Sequence, residues 1–254
     1  MPTVLTHRSI RRAGALLPLC ALLLGTASCT TVDDDQLAPA FPYESGQGDM
    51  PDGVAYPAGP FGFAKGSVLP NFAFVGYVDP FNQIAAAAPR QLIQLADFYN
   101  PTGDEVYGEG SPFPVGQPKP LAMVIDMSAR WCSVCQDEAK NVLPPKIKKY
   151  RFDPVDNPDG RGEFMTDLPE GLHQGVPATY SDADKWGKGF KLDVPLVVDP
   201  EYQFEPTMIL GQAAWPANFI VDTRTMTIVL IWPGSPNAAF WTKFDQVIAG
   251  TWNQ

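Results

Sequence analysis

The sequence predicts an α/β fold in which helices flank a central β-sheet. The near-continuous apolar run at residues 121–127 is typical of a strand that is covered on both faces. Predicted strands and helices then alternate along the chain, and two adjacent strands followed by one helix close it. We therefore expect a sheet with helices on both faces.

Local patterns predict the individual elements. Residues 71–78 alternate aromatic and small side chains, as a strand does, whereas residues 90–98 fit either a strand or a short helix. A helix is expected over residues 132–143, and Pro144 and Pro145 should end or kink it. The later predicted elements are strands at 194–198, 217–221 and 227–232, a helix that a capping box at 181–184 opens toward Phe190, and a last helix from Ser235 to Gly250.

The first residues have the features of a secretory signal. Three arginines precede a short apolar run over residues 13–24, and small residues at 25–28 lead to Cys29. The run is shorter than the roughly 20 residues that a membrane-spanning helix needs. Residues 25–29 resemble a bacterial lipobox, in which the cysteine is lipidated and becomes the mature N-terminus. The alternative is ordinary secretion with an incidental Cys29.

The chain is expected to consist of a signal peptide at 1–28, a tether or extension at 29–65 and one domain at 66–254. Aspartates, prolines and glycines dominate the tether, which would hold the domain away from a membrane. Without the signal peptide the chain has 15 basic and 28 acidic residues. The absence of a basic patch argues against a nucleic-acid partner, and the acidity mainly favours solubility.

The pair Cys132 and Cys135 at C-x-x-C spacing could be a redox pair, half of a zinc site or a structural bridge. Zinc sites usually need four cysteine or histidine ligands, and after residue 28 the chain has only Cys29, these two cysteines and His173. A structural bridge across two intervening residues would stabilise the fold little, because it closes a very short loop. Zinc is therefore not expected, and a reversible disulfide is favoured.

The position of the pair favours exchange chemistry. If a helix begins near Cys132, its unpaired N–H groups and its dipole stabilise a thiolate at that sulfur. Cys132 would then be the exposed attacking thiol, and Cys135, one turn inside, would release the mixed disulfide.

The residues around this pair resemble the active site of the thioredoxin-like superfamily. Trp131-Cys-Ser-Val-Cys135 follows a hydrophobic strand, as the W-C-x-x-C motif of that superfamily does. Residues 69–74 and 94–98 are similar to the opening strand and the L-x-D-F segment of its envelope redoxin branch, and 214–222 to its cis-proline loop. The resemblance spans about residues 66–250. It implies a thioredoxin-like fold, a mixed sheet flanked by helices, with an N-terminal extension and loop insertions.

The resemblance also implies roles for individual residues. Asp126 corresponds to a buried acid that takes a proton from the resolving cysteine, although a carboxylate paired for structural reasons is the alternative. Trp131, Trp215 and a cis Pro216 would shape the groove that binds the substrate. Glu138 is either a proton relay or a solvated charge on the helix.

The sequence departs from the family pattern after the first helix. The strand expected there is replaced by the Pro/Gly-rich stretch 151–180, in which 163–166 is the only strand candidate. The helix also lacks the usual proline five residues after the second cysteine. These departures bear on the substrate surface and the redox potential more than on the chemistry.

Together these features predict a membrane-tethered thiol–disulfide oxidoreductase of the bacterial envelope that exchanges disulfides with protein thiols. We expect a monomer with a separate redox partner and without a dissociable cofactor or metal. A thiol peroxidase is one alternative, but it needs a threonine or serine at the position of Ala129. A lipoprotein binding module with an inert disulfide is the other.

Overall fold

A computed structural model of the chain describes residues 55–202 and 214–253. The predicted signal peptide, Cys29 and residues 30–54 of the predicted tether lie outside these residues. None of the described helices is long and apolar enough to cross a membrane. The elements are β1 Ala73–Tyr77, α1 Pro80–Ala85, β2 Gln91–Gln94, β3 Ala122–Ala129, α2 Ser133–Asp137, α3 Leu143–Tyr150, β4 Gly162–Glu170, α4 Tyr180–Phe190, β5 Leu196–Val198, β6 Ala217–Asp222, β7 Thr227–Pro233 and α5 Ala238–Ile248.

The described strands form a seven-stranded mixed sheet in the order β2-β1-β5-β4-β3-β6-β7. The central strands β3, β4 and β5 are parallel to one another, and the flanking strands are antiparallel to their neighbours. All eight residues of β3 are buried between β4 and β6, which explains the apolar run from which this strand was predicted. The predicted mixed sheet with flanking helices is confirmed.

Side chains of β3 point alternately into two apolar layers. Ala122 and Val124 belong to a layer that includes residues of α3, α4 and α5, whereas Met123 and Ile125 belong to the opposite layer. The chain moves in the same direction across the sheet from β3 to β4 to β5. Right-handed crossovers therefore place α3 and α4 on the same face.

The opposite face is covered differently from the prediction. A short 3-10 helix at Leu95–Phe98 and the loop that follows it contribute most of its non-strand residues. Residues 90–98 are thus a strand followed by a short helix. The end of the predicted tether also packs here, because Tyr56 and Phe63 contact this layer and the Tyr56 hydroxyl donates to the Leu69 carbonyl at 2.9 Å.

The helix after the cysteines continues past its prolines. α2 is followed by a wider π-type turn at Glu138–Val142 and then by α3, which extends to Tyr150. Pro144 and Pro145 lie in the first turn of α3, where the missing N–H groups are tolerated. The π-type turn ends before the prolines, and α3 starts with them in its first turn. The prolines therefore do not end the helical segment.

The stretch 151–180 contains the strand that the sequence analysis considered replaced, and that expectation is wrong. β4 has nine buried residues and pairs in parallel with both β3 and β5. The candidate at 163–166 lies inside it. Acidic residues interrupt its apolar pattern, and one of them, Glu163, accepts a charged hydrogen bond from Arg151 at 2.7 Å.

The start of α4 also differs from the prediction. Thr179, rather than Ser181, is the N-cap, and it forms a capping box with Asp182. The alternative partner, Asp184, instead accepts a hydrogen bond from the Tyr77 hydroxyl at 2.8 Å. The predicted end of this helix at Phe190 is confirmed.

Candidate functional site

The two cysteines form a disulfide at the start of a helix. β3 ends at Ala129, and Cys132 is the N-cap of α2. Its sulfur accepts a hydrogen bond from the backbone N–H of Cys135 at 3.1 Å, and the two Cα atoms are 5.3 Å apart. The sequence predicted both the pairing and the position of Cys132 at the helix N-terminus, and both are confirmed.

The exposure of Cys132 differs from the prediction of an exposed thiol. Cys132 is 4 % exposed and Cys135 is 0 % exposed, and both belong to the apolar layer under the helices. The loop is short and follows a fully buried strand, so its first sulfur stays close to that layer. Cys132 is nevertheless the more exposed of the two cysteines, as expected, because all of the solvent exposure of the disulfide is at Cys132.

Trp131 and Trp215 lie together beside the disulfide loop. Their rings meet edge to face with centroids 6.2 Å apart, and both side chains are half-buried. The Trp131 indole donates to Glu170, and the Tyr202 hydroxyl donates to the other oxygen of this carboxylate at 3.1 Å. Glu170 therefore fixes the ring next to Cys132. Sequence reasoning missed Glu170, which lies 39 residues from Trp131.

Pro216 lies at the sheet position that the resemblance implies. The Trp215–Pro216 peptide bond is cis, as expected. β6 begins at the next residue, and Ala217 is opposite Met127 near the end of β3. The start of β6 and the end of β3 are neighbours in the sheet. Pro216 and the disulfide loop therefore lie at the same end of these two strands.

A row of polar residues crosses three strands on the face that carries the cysteines. Thr166 of β4 and Asn218 of β6 lie directly opposite Asp126 of β3. The Asp126 carboxylate accepts hydrogen bonds from Ser128 Oγ at 2.8 Å and from Thr166 Oγ1 at 3.3 Å. Asp126 shares its face with Ala122 and Val124, which lie in the apolar layer of the disulfide.

Glu138 completes this polar group from the helix side. It is 0 % exposed, so it is not the solvated charge that the sequence left open. Its Oε1 atom accepts a hydrogen bond from Asn218 Nδ2 at 3.0 Å. In the described residues Glu138 Oε2 and Asn218 Oδ1 have no other hydrogen-bond partner. A protonated Glu138 would be able to donate to the Asn218 amide oxygen.

Burial changes the protonation of both acids. Desolvation raises the pKa of Asp126, and the hydrogen bonds from Ser128 and Thr166 oppose this effect. Desolvation also raises the pKa of Glu138, the nearby Asp126 carboxylate raises it further, and hydrogen bonds from Asn218 and Ser235 oppose the increase. The two groups repel each other when both are charged, so they favour a state that retains a proton at neutral pH.

Backbone hydrogen bonds attach the disulfide loop to the end of β4. The N–H of Arg130 donates to the Glu170 carbonyl at 3.1 Å, and that of Trp131 donates to the Gly171 carbonyl at 3.0 Å. A Cβ atom at position 171 would come within 2.7 Å of Asp182 Oδ2, so a larger residue there would displace the carboxylate that caps α4. The turn after β4 therefore lies directly beside the loop.

No family model matches the chain, and no curated protein matches it. It is similar to the solved structure of an exposed lipoprotein thioredoxin from Streptococcus pneumoniae, with 20 % identity over 69 % of this chain and 98 % of the other, at a TM-score of 0.42. A secreted thiol-disulfide isomerase from Corynebacterium glutamicum is similar with 13 % identity over 74 % and 87 %, at a TM-score of 0.45.

A third similar structure is the thioredoxin domain of a thiol-disulfide oxidoreductase from Bacteroides vulgatus. Its identity is 15 % over 74 % of this chain and 99 % of the other, at a TM-score of 0.44. Because these identities and TM-scores are low, the fold is identified from its own strand order and site geometry. The order of the central strands and a Cys132–Cys135 loop that joins β3 to its helix beside Pro216 identify the fold as thioredoxin-like.

Proposed function

We propose that this protein is a thiol–disulfide oxidoreductase that exchanges the Cys132–Cys135 disulfide with cysteines of other proteins. The observation that supports this most is the position of the disulfide. It lies at a helix N-terminus, has its remaining access at Cys132 and borders the Trp131–Trp215 pair. Such a short bridge contributes little to stability and is well placed for exchange.

In the reducing direction, the Cys132 thiolate attacks a substrate disulfide. A bond forms between Cys132 and one substrate sulfur, and the other substrate sulfur leaves as a thiolate that takes up a proton. Cys135 then attacks the Cys132 sulfur, the intramolecular disulfide forms, and the second substrate thiolate leaves. The substrate gains two electrons and the cysteine pair loses them. The reverse sequence oxidises a substrate dithiol.

Cys135 must lose a proton before it attacks. It is fully buried, so water has poor access to its thiol. The Asp126 carboxyl shares the face of the sheet that carries the cysteines, and its raised pKa of about 7 suits a group that gains and loses a proton near neutral pH. We assign Asp126 the acceptance of the Cys135 proton, with Thr166, Asn218 and the protonated Glu138 as positioning residues.

The site of action follows from the N-terminal sequence. A signal peptide at 1–28 would export the chain, and lipidation of Cys29 would anchor it to a membrane of the bacterial envelope.

Titration against glutathione tests the proposal, with residues 55–254 as the soluble protein. We expect Cys132 and Cys135 to exchange within minutes and to have a reduction potential more positive than about −300 mV, outside the range of structural disulfides. Mass spectrometry after alkylation would measure the reduced fraction. A more negative potential with exchange over many hours would instead support the inert binding module.

A further inference from the structure

A cavity of about 210 Å³ lies beside the disulfide loop, between that loop, the turn after β4 and helix α4. Two of its lining residues flank the redox motif, Arg130 on one side and Gln136 on the other. The Gln136 side chain donates to the Arg130 carbonyl at 2.7 Å, and its backbone N–H donates to the Cys132 carbonyl at 3.1 Å. The cavity therefore adjoins the loop that carries the reacting sulfurs.

The charged groups in the lining of this cavity are all cations. Lys185 is exposed, and Arg130 uses one nitrogen in a 2.6 Å ion pair with Asp182, which lies outside the lining. That pair neutralises itself, so Lys185 provides the net charge. The whole chain has 28 acidic and 18 basic residues, which makes a cavity lined by cations without a carboxylate a local exception.

The hydrogen-bonding side chains that reach this cavity are mainly donors. Trp186 contributes apolar ring surface to the wall, because it is 1 % exposed and its indole nitrogen is buried. Because the Arg130 and Lys185 side chains offer only donors, an occupant that contacts them must supply acceptors. Lys185, whose charge is not neutralised by an ion pair within the lining, favours a negatively charged acceptor.

Apolar side chains form the rest of the wall. Leu172, in the turn after β4, is 54 % exposed, and Phe190 packs edge to face against Trp186 with ring centroids 4.6 Å apart. Such a wall suits a short hydrocarbon stem that ends in an acceptor. A glutamate side chain has this combination.

We propose that this cavity binds the carboxylate of a glutamate that lies close in sequence to the reacting cysteine of a protein substrate. The proposal rests on the proposed exchange function and adds a specificity determinant to it. The cavity selects the substrate sequence around the cysteine, and Lys185 is the residue that determines this selection.

The test uses the reduced protein and synthetic peptides with a single cysteine capped by 2-mercaptoethanol as a mixed disulfide. One set has glutamate at each position within four residues of the cysteine, and a matched set has glutamine. At one or two of these positions we expect the glutamate peptide to be reduced about fivefold faster at low salt. The Lys185→Glu variant should reverse this preference.

Lys188→Glu is the matched control, because it makes the same charge change on the same helix outside the cavity. It should keep the preference of the unchanged protein. Equal rates for glutamate and glutamine peptides at every position would overturn the inference and leave the exchange function intact. Equal effects of Lys185→Glu and Lys188→Glu would also overturn it, because only the general field would then act. Failure to reduce any peptide would overturn the exchange function as well.

Discussion

Replacement of Cys132 by serine will lower the rate of insulin disulfide reduction by on the order of a thousandfold or more. The serine hydroxyl is a poor nucleophile at neutral pH, and Cys135 cannot take over the attack because it is 0 % exposed. The fold should persist, since a bridge between residues three apart contributes little to stability. The assay is turbidity from reduced insulin with dithiothreitol as the electron source.

The Cys135→Ser variant is the informative partner of this experiment. It retains the attacking thiol but lacks the resolving one, so substrate proteins should accumulate as mixed disulfides on Cys132. Non-reducing gels and mass spectrometry would identify them. Normal turnover by Cys132→Ser, or mixed disulfides on Cys135 rather than Cys132, would contradict the assigned roles.

The second large effect concerns the buried acids. Glu138→Gln should raise the free energy of unfolding by about 1–3 kcal/mol at pH 8 and much less at pH 4. Since the pKa of Glu138 is raised in the folded protein, the folded state binds its proton more tightly than the unfolded state does. Stability from this proton is complete below the ordinary carboxyl range and is lost as pH increases toward the raised value. Glutamine avoids that loss and still hydrogen-bonds Asn218.

The same acids should affect the chemistry. Asp126→Asn removes the candidate acceptor of the Cys135 proton, so it should slow the resolution of a mixed disulfide at pH 7 by about 10- to 100-fold. Glu138→Gln should slow this step less, because Glu138 already holds its proton at pH 7. The initial attack by Cys132 should change less. Stopped-flow measurement of thiol release separates the two steps.

Asp137→Asn is the matched control for both measurements, because this carboxylate is exposed and precedes Glu138 directly. It should change neither the pH dependence of stability nor the resolution rate. Denaturant unfolding between pH 4 and pH 8 provides the stability values. A Glu138→Gln protein with the same pH dependence as the unchanged protein would contradict this prediction, because it would show that folding does not raise the pKa of Glu138.

Features that are local in sequence were predictable. The disulfide loop and the strand before it each follow from a short stretch of residues, and the cis peptide before Pro216 was expected from the family resemblance of residues 214–222. The start of α4 shows the limit of this approach. Thr179 with Asp182 and Ser181 with Asp184 both fit a capping box, and the contact between Asp184 and Tyr77 is visible only in three dimensions.

Features that depend on distant pairing were not predictable. The consecutive polar residues Gln136, Asp137 and Glu138 do not reveal which of them faces inward, and only Glu138 is buried. Its partner Asn218 lies 80 residues away. β4 was underestimated for a similar reason, because its acidic residues resemble a loop until Arg151 is seen beside Glu163.

The most direct test of the account is the alkylation of the reduced protein with a limiting amount of iodoacetamide at pH 7, followed by mass spectrometry. The helix N-terminus should hold Cys132 largely as a reactive thiolate, whereas Cys135 is enclosed in the apolar layer. We predict that Cys132 is modified at least about ten times faster than Cys135. Equally slow modification of both cysteines, or faster modification of Cys135, would contradict the central claim that Cys132 is the attacking sulfur.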